Sequence, residues 1–209
     1  TTTFSVLFIV GIVIGVLLWI ASKVYRLMTE RNNCRLGLDA EIAVGQELNQ
    51  LMFNGFRVYH DFPAENFNID HIVVGSTGVY AVETKGRTKT VRKTGKVDAT
   101  VVYDGKSLQF PSWYETEPLL QAQRQADWLR KWLTSAVGAP VYVQAVLALP
   151  GWYVVRKVDR PIKLISGKEA YSLAKPSGIN LSPDMIQRIA HQVEQRCRDV
   201  EPVAYRKEK

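Results

Sequence analysis

The chain has 209 residues, enough for one good-sized domain plus an extra element, and its 46% apolar content excludes an intrinsically disordered protein. Its net charge of +7 points to anionic partners, nucleic acid or a lipid headgroup surface. Cys34 and Cys197 are the only cysteines, with no C-x-x-C pair and no histidine cluster at metal-ligand spacing, so neither a disulfide framework nor a structural zinc site is suggested, which suits a reducing compartment.

No charge occurs before Lys23, and the apolar run from Phe4 to Ser22 is long enough to span a bilayer. A cleaved secretory signal would need a positive leading region and a shorter apolar core. Lys23, Arg26, Arg31 and Arg35 follow, against the single acid Glu30, so the positive-inside bias places the rest of the chain in the cytoplasm, as a single-pass protein of the inner membrane. Trp19 and Tyr25 would sit near that interface. Gly11 and Gly15 have the spacing of a helix–helix contact, which is also ordinary in membrane helices, so homo-oligomerisation stays open. The expected organisation is a membrane helix over 1–22, a basic juxtamembrane linker over 23–36, the main folded domain over 37–150 and a C-terminal extension over 151–209.

Val44, Leu48 and Leu51 recur at helical spacing, predicting a helix from an Asp39 N-cap to Phe53, ended by Asn54-Gly55. A strand from Phe56 to Asp61 and a loop containing Pro63 follow. Two strands, Asn68–Gly75 and Gly78–Gly86, form the strongest hairpin signal, turning at Ser76-Thr77. A basic stretch runs to Lys96, and a second hairpin turns at Asp104-Gly105. A helix starts near Pro118, with Leu119, Ala122, Ala126, Leu129 and Leu133 as its apolar stripe. Val141–Leu149 reads as a buried strand and Ile162–Ile165 as a short one; Ser182-Pro183 opens a last helix carrying Ile186, Ile189, Val193 and Cys197.

If the first hairpin is symmetric about its turn, Asp70 lies opposite Glu83 on one face, with Lys85 two residues beyond Glu83 and opposite Asn68. Two carboxylates so placed repel, and something positive must sit between them. Glu41 continues the stripe of Val44 and Leu48, so it too should face inward, although alone it reads more readily as an acid at the positive end of a helix. Three acids near one ammonium suit a hard divalent cation, Mg²⁺ or Mn²⁺, which can activate water and neutralise a phosphodiester oxygen. The competing reading is a structural ion cluster. His71 points to the opposite face, where Ile69, Val73, Tyr80 and Val82 suggest packing, and reads as a core residue. Trp113, Tyr114, Trp128 and Trp132 could stack bases, but core packing is the first expectation for all four.

The order G-x-x-x-E at Gly37–Glu41, I-D-H-I-V-V at Ile69–Val74 and V-Y-A-V-E-T-K at Val79–Lys85 resembles the NERD (nuclease-related) domain, which is similar to the PD-(D/E)XK restriction-endonuclease-like group. The resemblance implies an α/β fold, a mixed sheet flanked by helices, and DNA phosphodiester cleavage or processing; the membrane anchor adds the expectation that the substrate is incoming or foreign DNA. It implies catalytic roles for Asp70, Glu83 and Lys85 and metal binding by Asp70, Glu83 and Glu41. Glu117–Gln121 is similar to an N-P-x-x-Q element, with Glu117 in place of Asn, and puts Gln121 forward as an accessory catalytic residue. Arg87, Lys89, Arg92, Lys93 and Lys96 follow the site without intervening acids and would hold a DNA backbone or anionic lipid. No small-molecule organic cofactor is expected. The alternative is an inactive module of the same fold that binds DNA or assembles partners at the membrane.

Overall fold

The computed structural model describes residues 2–91, 95, 97–158, 161–176 and 178–198. One helix, α1, runs without a break from Thr2 to Asn49. The expected linker and the expected start at Asp39 are both inside it. No proline occurs before Pro63, and the pairs Arg26–Glu30 and Arg35–Asp39, each at 3.8 Å, lie on its exposed surface, so nothing in the chain stops a helix there. Asp39 is thus a mid-helix residue, not a cap. The helix tightens into a 3₁₀ segment, Gln50–Asn54, and ends at Gly55, whose φ of 79° fits the left-handed cap.

The main sheet has the order β1 (Arg57–Pro63), β2 (Asn68–Gly75), β3 (Gly78–Thr84), β9 (Val143–Ala148), β11 (Lys163–Ile165). The first three strands are antiparallel and the last three parallel. Pro63 closes β1 opposite Asn68 rather than lying in a loop, a strand-end position where its missing N–H costs nothing in the ladder. Between β3 and β9 come a small β4–β5 hairpin (Thr90–Val91, Val97–Asp98), β6 (Thr100–Tyr103), β7 (Leu108–Gln109), β8 (Tyr114–Glu115) and helix α2 (Glu117–Val137). Strands β6, β7 and β8 join β10 (Tyr153–Arg156) in a second mixed sheet, ordered β10-β6-β7-β8. A 3₁₀ segment, Gly167–Ala174, and helix α3 (Pro183–Arg198) complete the described chain, the Ser182 hydroxyl accepting the Met185 N–H.

Alternation along β2 and β3 assigns the two faces of the main sheet. Ile72, Val74, Val79 and Ala81 pack with Leu119, Ala122, Leu129 and Leu133 of α2 and with Ile189 and Val193 of α3. Val73, Tyr80 and Val82 pack with Val44 and Leu48 of α1 and with Leu173. β9, apolar on both faces, is the central parallel strand that such a run predicts. Trp128 and Trp132 pack against Phe62, and Trp113 stacks on Phe110, as core residues. Tyr114 does not: it is 77% exposed.

Candidate functional site

The β2–β3 ladder pairs Gly75 with Gly78 and continues to His71 with Val82, the register that a symmetric Ser76-Thr77 turn requires. It ends one step short of Asp70 and Glu83. There the Asp70 carboxylate accepts the Thr84 N–H at 2.7 Å, replacing a strand–strand bond with a side-chain one, while β3 stays paired to β9 through Glu83–Leu147 and Thr84–Ala148. The Lys85 N–H donates to Ala148 O, and because the β2–β3 ladder stops at His71–Val82, Asn68 keeps its β1 partner Pro63 but is not paired with Lys85.

Glu83 is 2% exposed, and both of its oxygens are engaged. The Lys85 ammonium lies 2.6 Å from Oε1, and Gln125 Nε2 donates to Oε2 at 2.5 Å. Gln125 also reaches Asn68 O at 3.3 Å, and its own Oε1 is buried without a partner. Gln121, one turn earlier on α2, makes no hydrogen bond to this cluster among the described residues. Gln125 was readable in principle: it lies three residues after Ala122 and four before Leu129, so it is an amide on the buried stripe, where an unpaired polar group is costly.

Burial, and then the Glu83 and Glu41 charges, push Asp70 up to about 7 against the opposing Thr84 N–H and Lys85. Glu41 is also raised, first by burial, then by Asp61 and Glu83. It shares no hydrogen bond with Asp70, Glu83 or Lys85 among the described residues, yet it lies within their field. Gly86 explains the approach: a Cβ there would meet Leu36 O at 2.7 Å and the Ala40 Cβ at 3.1 Å, so the segment leaving Lys85 presses on α1 beside Glu41. Next to Glu41 a cleft of about 210 Å³ is lined by Gly45, Asn49, His60, Asp61 and His71.

His71 is 4% exposed, on the α1 side as the alternation predicts. Its Nδ1 lies 2.8 Å from His60 Nδ1, and His60 Nε2 lies 3.0 Å from Asn49 Oδ1. The amide oxygen accepts, so His60 carries its proton on Nε2 and His71 donates from Nδ1. Burial, then His60, lower His71 to about 4.

Glu83 contacts the Lys85 ammonium, Asp70 and Glu41 lie within its field, and all three offer oxygen donors. Among the described residues no group of three His, Cys, Asp or Glu is placed to hold a metal ion together, so any cation here would rest on fewer protein ligands and on water. That donor set fits Mg²⁺ or Mn²⁺, which take one or two carboxylates and keep their waters, and does not fit zinc.

Of the basic residues, Arg87 is already committed. Its guanidinium donates to Glu115 through Nε at 2.9 Å and Nη2 at 2.7 Å, an acid 28 residues away that local sequence does not reveal. Lys89 is exposed, with its Nζ against Gly151. Arg92, Lys93 and Lys96 lie outside the described residues.

One N-terminal helix is long and apolar enough to cross a membrane. No curated protein and no solved structure matches the chain. The family model for the nuclease-related domain matches residues 36–150, a span that holds Glu41, Asp70, Glu83, Lys85 and Gln125, and the chain belongs to the NERD, or nuclease-related domain, family.

Proposed function

We propose that the protein is a divalent-metal-dependent nuclease that hydrolyses DNA phosphodiester bonds from the cytoplasmic face of a membrane, anchored by the first part of α1. The observation that carries this reading is the buried Glu83 carboxylate, with the half-buried Asp70 in its field and the Lys85 ammonium 2.6 Å away, inside a nuclease-related domain. Asp70 and Glu83 would hold the cation, with Glu41 assisting from α1. When bound, the cation supplies Lewis-acid neutralisation at a phosphodiester oxygen and a more acidic water. Lys85 is placed to stabilise charge on the attacked phosphate or to orient the attacking water. Gln125 fixes the Glu83 rotamer from α2, and the Thr84 N–H fixes Asp70. Gln121 keeps an accessory role on family grounds alone. Lys89, with Arg92, Lys93 and Lys96, would contact the backbone of incoming or foreign DNA. The run of Lys23, Arg26, Arg31 and Arg35 after the apolar segment supports a cytoplasmic domain on an inner membrane.

One observation favours the inactive-module reading. Both Glu83 oxygens are bonded by Lys85 and Gln125, so the carboxylate is satisfied without a cation. Cleavage of linear, circular and single-stranded DNA by the detergent-solubilised chain, with Mg²⁺, Mn²⁺ or EDTA, separates the two. The nuclease reading predicts cation-dependent cleavage that Asp70→Asn and Lys85→Ala abolish. Cleavage that persists in either variant removes the assigned site, and metal-independent binding with no cleavage supports the module.

A further inference from the structure

The second sheet has one buried and one open face. Val101, Tyr103, Leu108 and Val154 turn inward to the core. The ladder puts Val155, Val102, Gln109 and Tyr114 in one cross-strand row, and Tyr153 and Thr100 in the row beside it. These six residues share the outer face. Tyr114 is 77% and Tyr153 71% exposed, and strand spacing puts them roughly 16 Å apart. The face therefore offers two aromatic rings on a floor of small apolar and amide groups.

The ends of the face carry positive charge. Lys89 lies against Gly151, two residues before Tyr153; Lys106 is in the β6–β7 turn, and Lys157, whose N–H donates to Tyr103 O, adjoins that turn. All three are exposed and carry no ion pair among the described residues. The nearby acids are used internally: Asp104 accepts the Lys106 and Ser107 N–H groups, Glu115 binds Arg87, and Glu169 binds Arg156. Exposed rings between unpaired lysines match a chain of unstacked bases with phosphates between them, because every base has a face to stack and every linker a charge. A duplex would bury its bases and leave the rings unused.

We propose that this face is a stacking platform for single-stranded nucleic acid, serving the Asp70–Glu83 site. The inference rests on the nuclease reading for its destination but not for its binding test. Arg87 couples the two places: its guanidinium grips Glu115 on β8, and its carbonyl accepts the Trp152 indole N–H just before β10. The platform is therefore fixed to the segment that leaves Lys85.

The test measures anisotropy of fluorescein-labelled oligo(dT), oligo(rU) and a duplex of equal length with the full chain in detergent and EDTA. The expected result is tighter binding of the single strands than of the duplex. Tyr114→Ala with Tyr153→Ala should weaken single-strand binding at least tenfold and leave the duplex unchanged, since each ring removed deletes a stacking partner for one base. The corresponding pair of Phe substitutions should bind as the parent does. An Ala pair that binds oligo(dT) normally, loses single strand and duplex alike, or changes the oligomeric mass instead overturns the platform. Failure of the parent chain to cleave any DNA with Mg²⁺ or Mn²⁺ while the tyrosine effect stands would sink the nuclease reading alone.

Discussion

Gln125→Leu is the most informative single change in the buried cluster. It deletes the hydrogen bond to Glu83 Oε2 at 2.5 Å and the longer one to Asn68 O, while nearly keeping volume. A hydrogen bond to a charged group contributes about 1.5–3 kcal/mol, and Glu83 is too buried for water to replace it. Removing the partnerless Gln125 Oε1 returns part of that, so the expected net loss is about 1–2 kcal/mol. Gln125→Glu would add a fourth carboxylate and should cost more. Gln121→Leu, on the same helix one turn away, should stay within about 0.5 kcal/mol, as a substitution that breaks no bond. Urea unfolding followed by tryptophan fluorescence in detergent reads all three. Equal effects of Gln121→Leu and Gln125→Leu, or none from Gln125→Leu, would refute the claim that Gln125 holds Glu83.

The pH dependence of the metal-free protein contains two opposing contributions. His71, held near 4 against an ordinary 6.5, favours the fold above pH 6.5 and loses that contribution as pH falls through 4; Asp70, raised to about 7, favours it at low pH and loses that as pH rises through 7. Between pH 4.5 and 6.5 they offset, so Asp70→Asn should expose the His71 limb, losing about 2–3 kcal/mol on acidification while the parent stays nearly flat; parallel urea midpoints would contradict this. Gly86→Ala should push the segment after Lys85 off α1, costing about 1–3 kcal/mol and lowering any cleavage activity, and unchanged thermal unfolding would show that the close contact at Leu36 is unimportant. Arg87→Ala should reduce stability and leave the salt slope of DNA binding intact, whereas Lys89→Ala should reduce that slope by about one; the reverse pattern would mean that Arg87 exchanges Glu115 for phosphate.

What the sequence reveals follows from how local each signal is. The β2–β3 hairpin is readable because a two-residue turn and strict alternation fix the register, which brings Asp70 and Glu83 to the same end of the hairpin. The start of α1 is not readable: apolar and polar helical segments join without a breaker, and Asp39 mimics a cap in the middle of a helix. Gln121 stands out by motif, while Gln125, which touches Glu83, is hidden among the small residues of a buried stripe. Arg87 looks free because Glu115 is distant in sequence. The outer face of the second sheet is invisible for the same reason, since β6 and β10 pair in parallel from opposite sides of α2 and only that pairing brings Val155 into the row that ends at Tyr114 and Tyr153 into the row beside it.

The most direct test of the central claim is Mn²⁺ binding, followed by the loss of the free-ion electron paramagnetic resonance signal on titrating the full chain. The account predicts one saturable Mn²⁺ site, competed by Mg²⁺, that disappears in Asp70→Asn while the fold is retained. Equal Mn²⁺ binding by the parent and Asp70→Asn would contradict it.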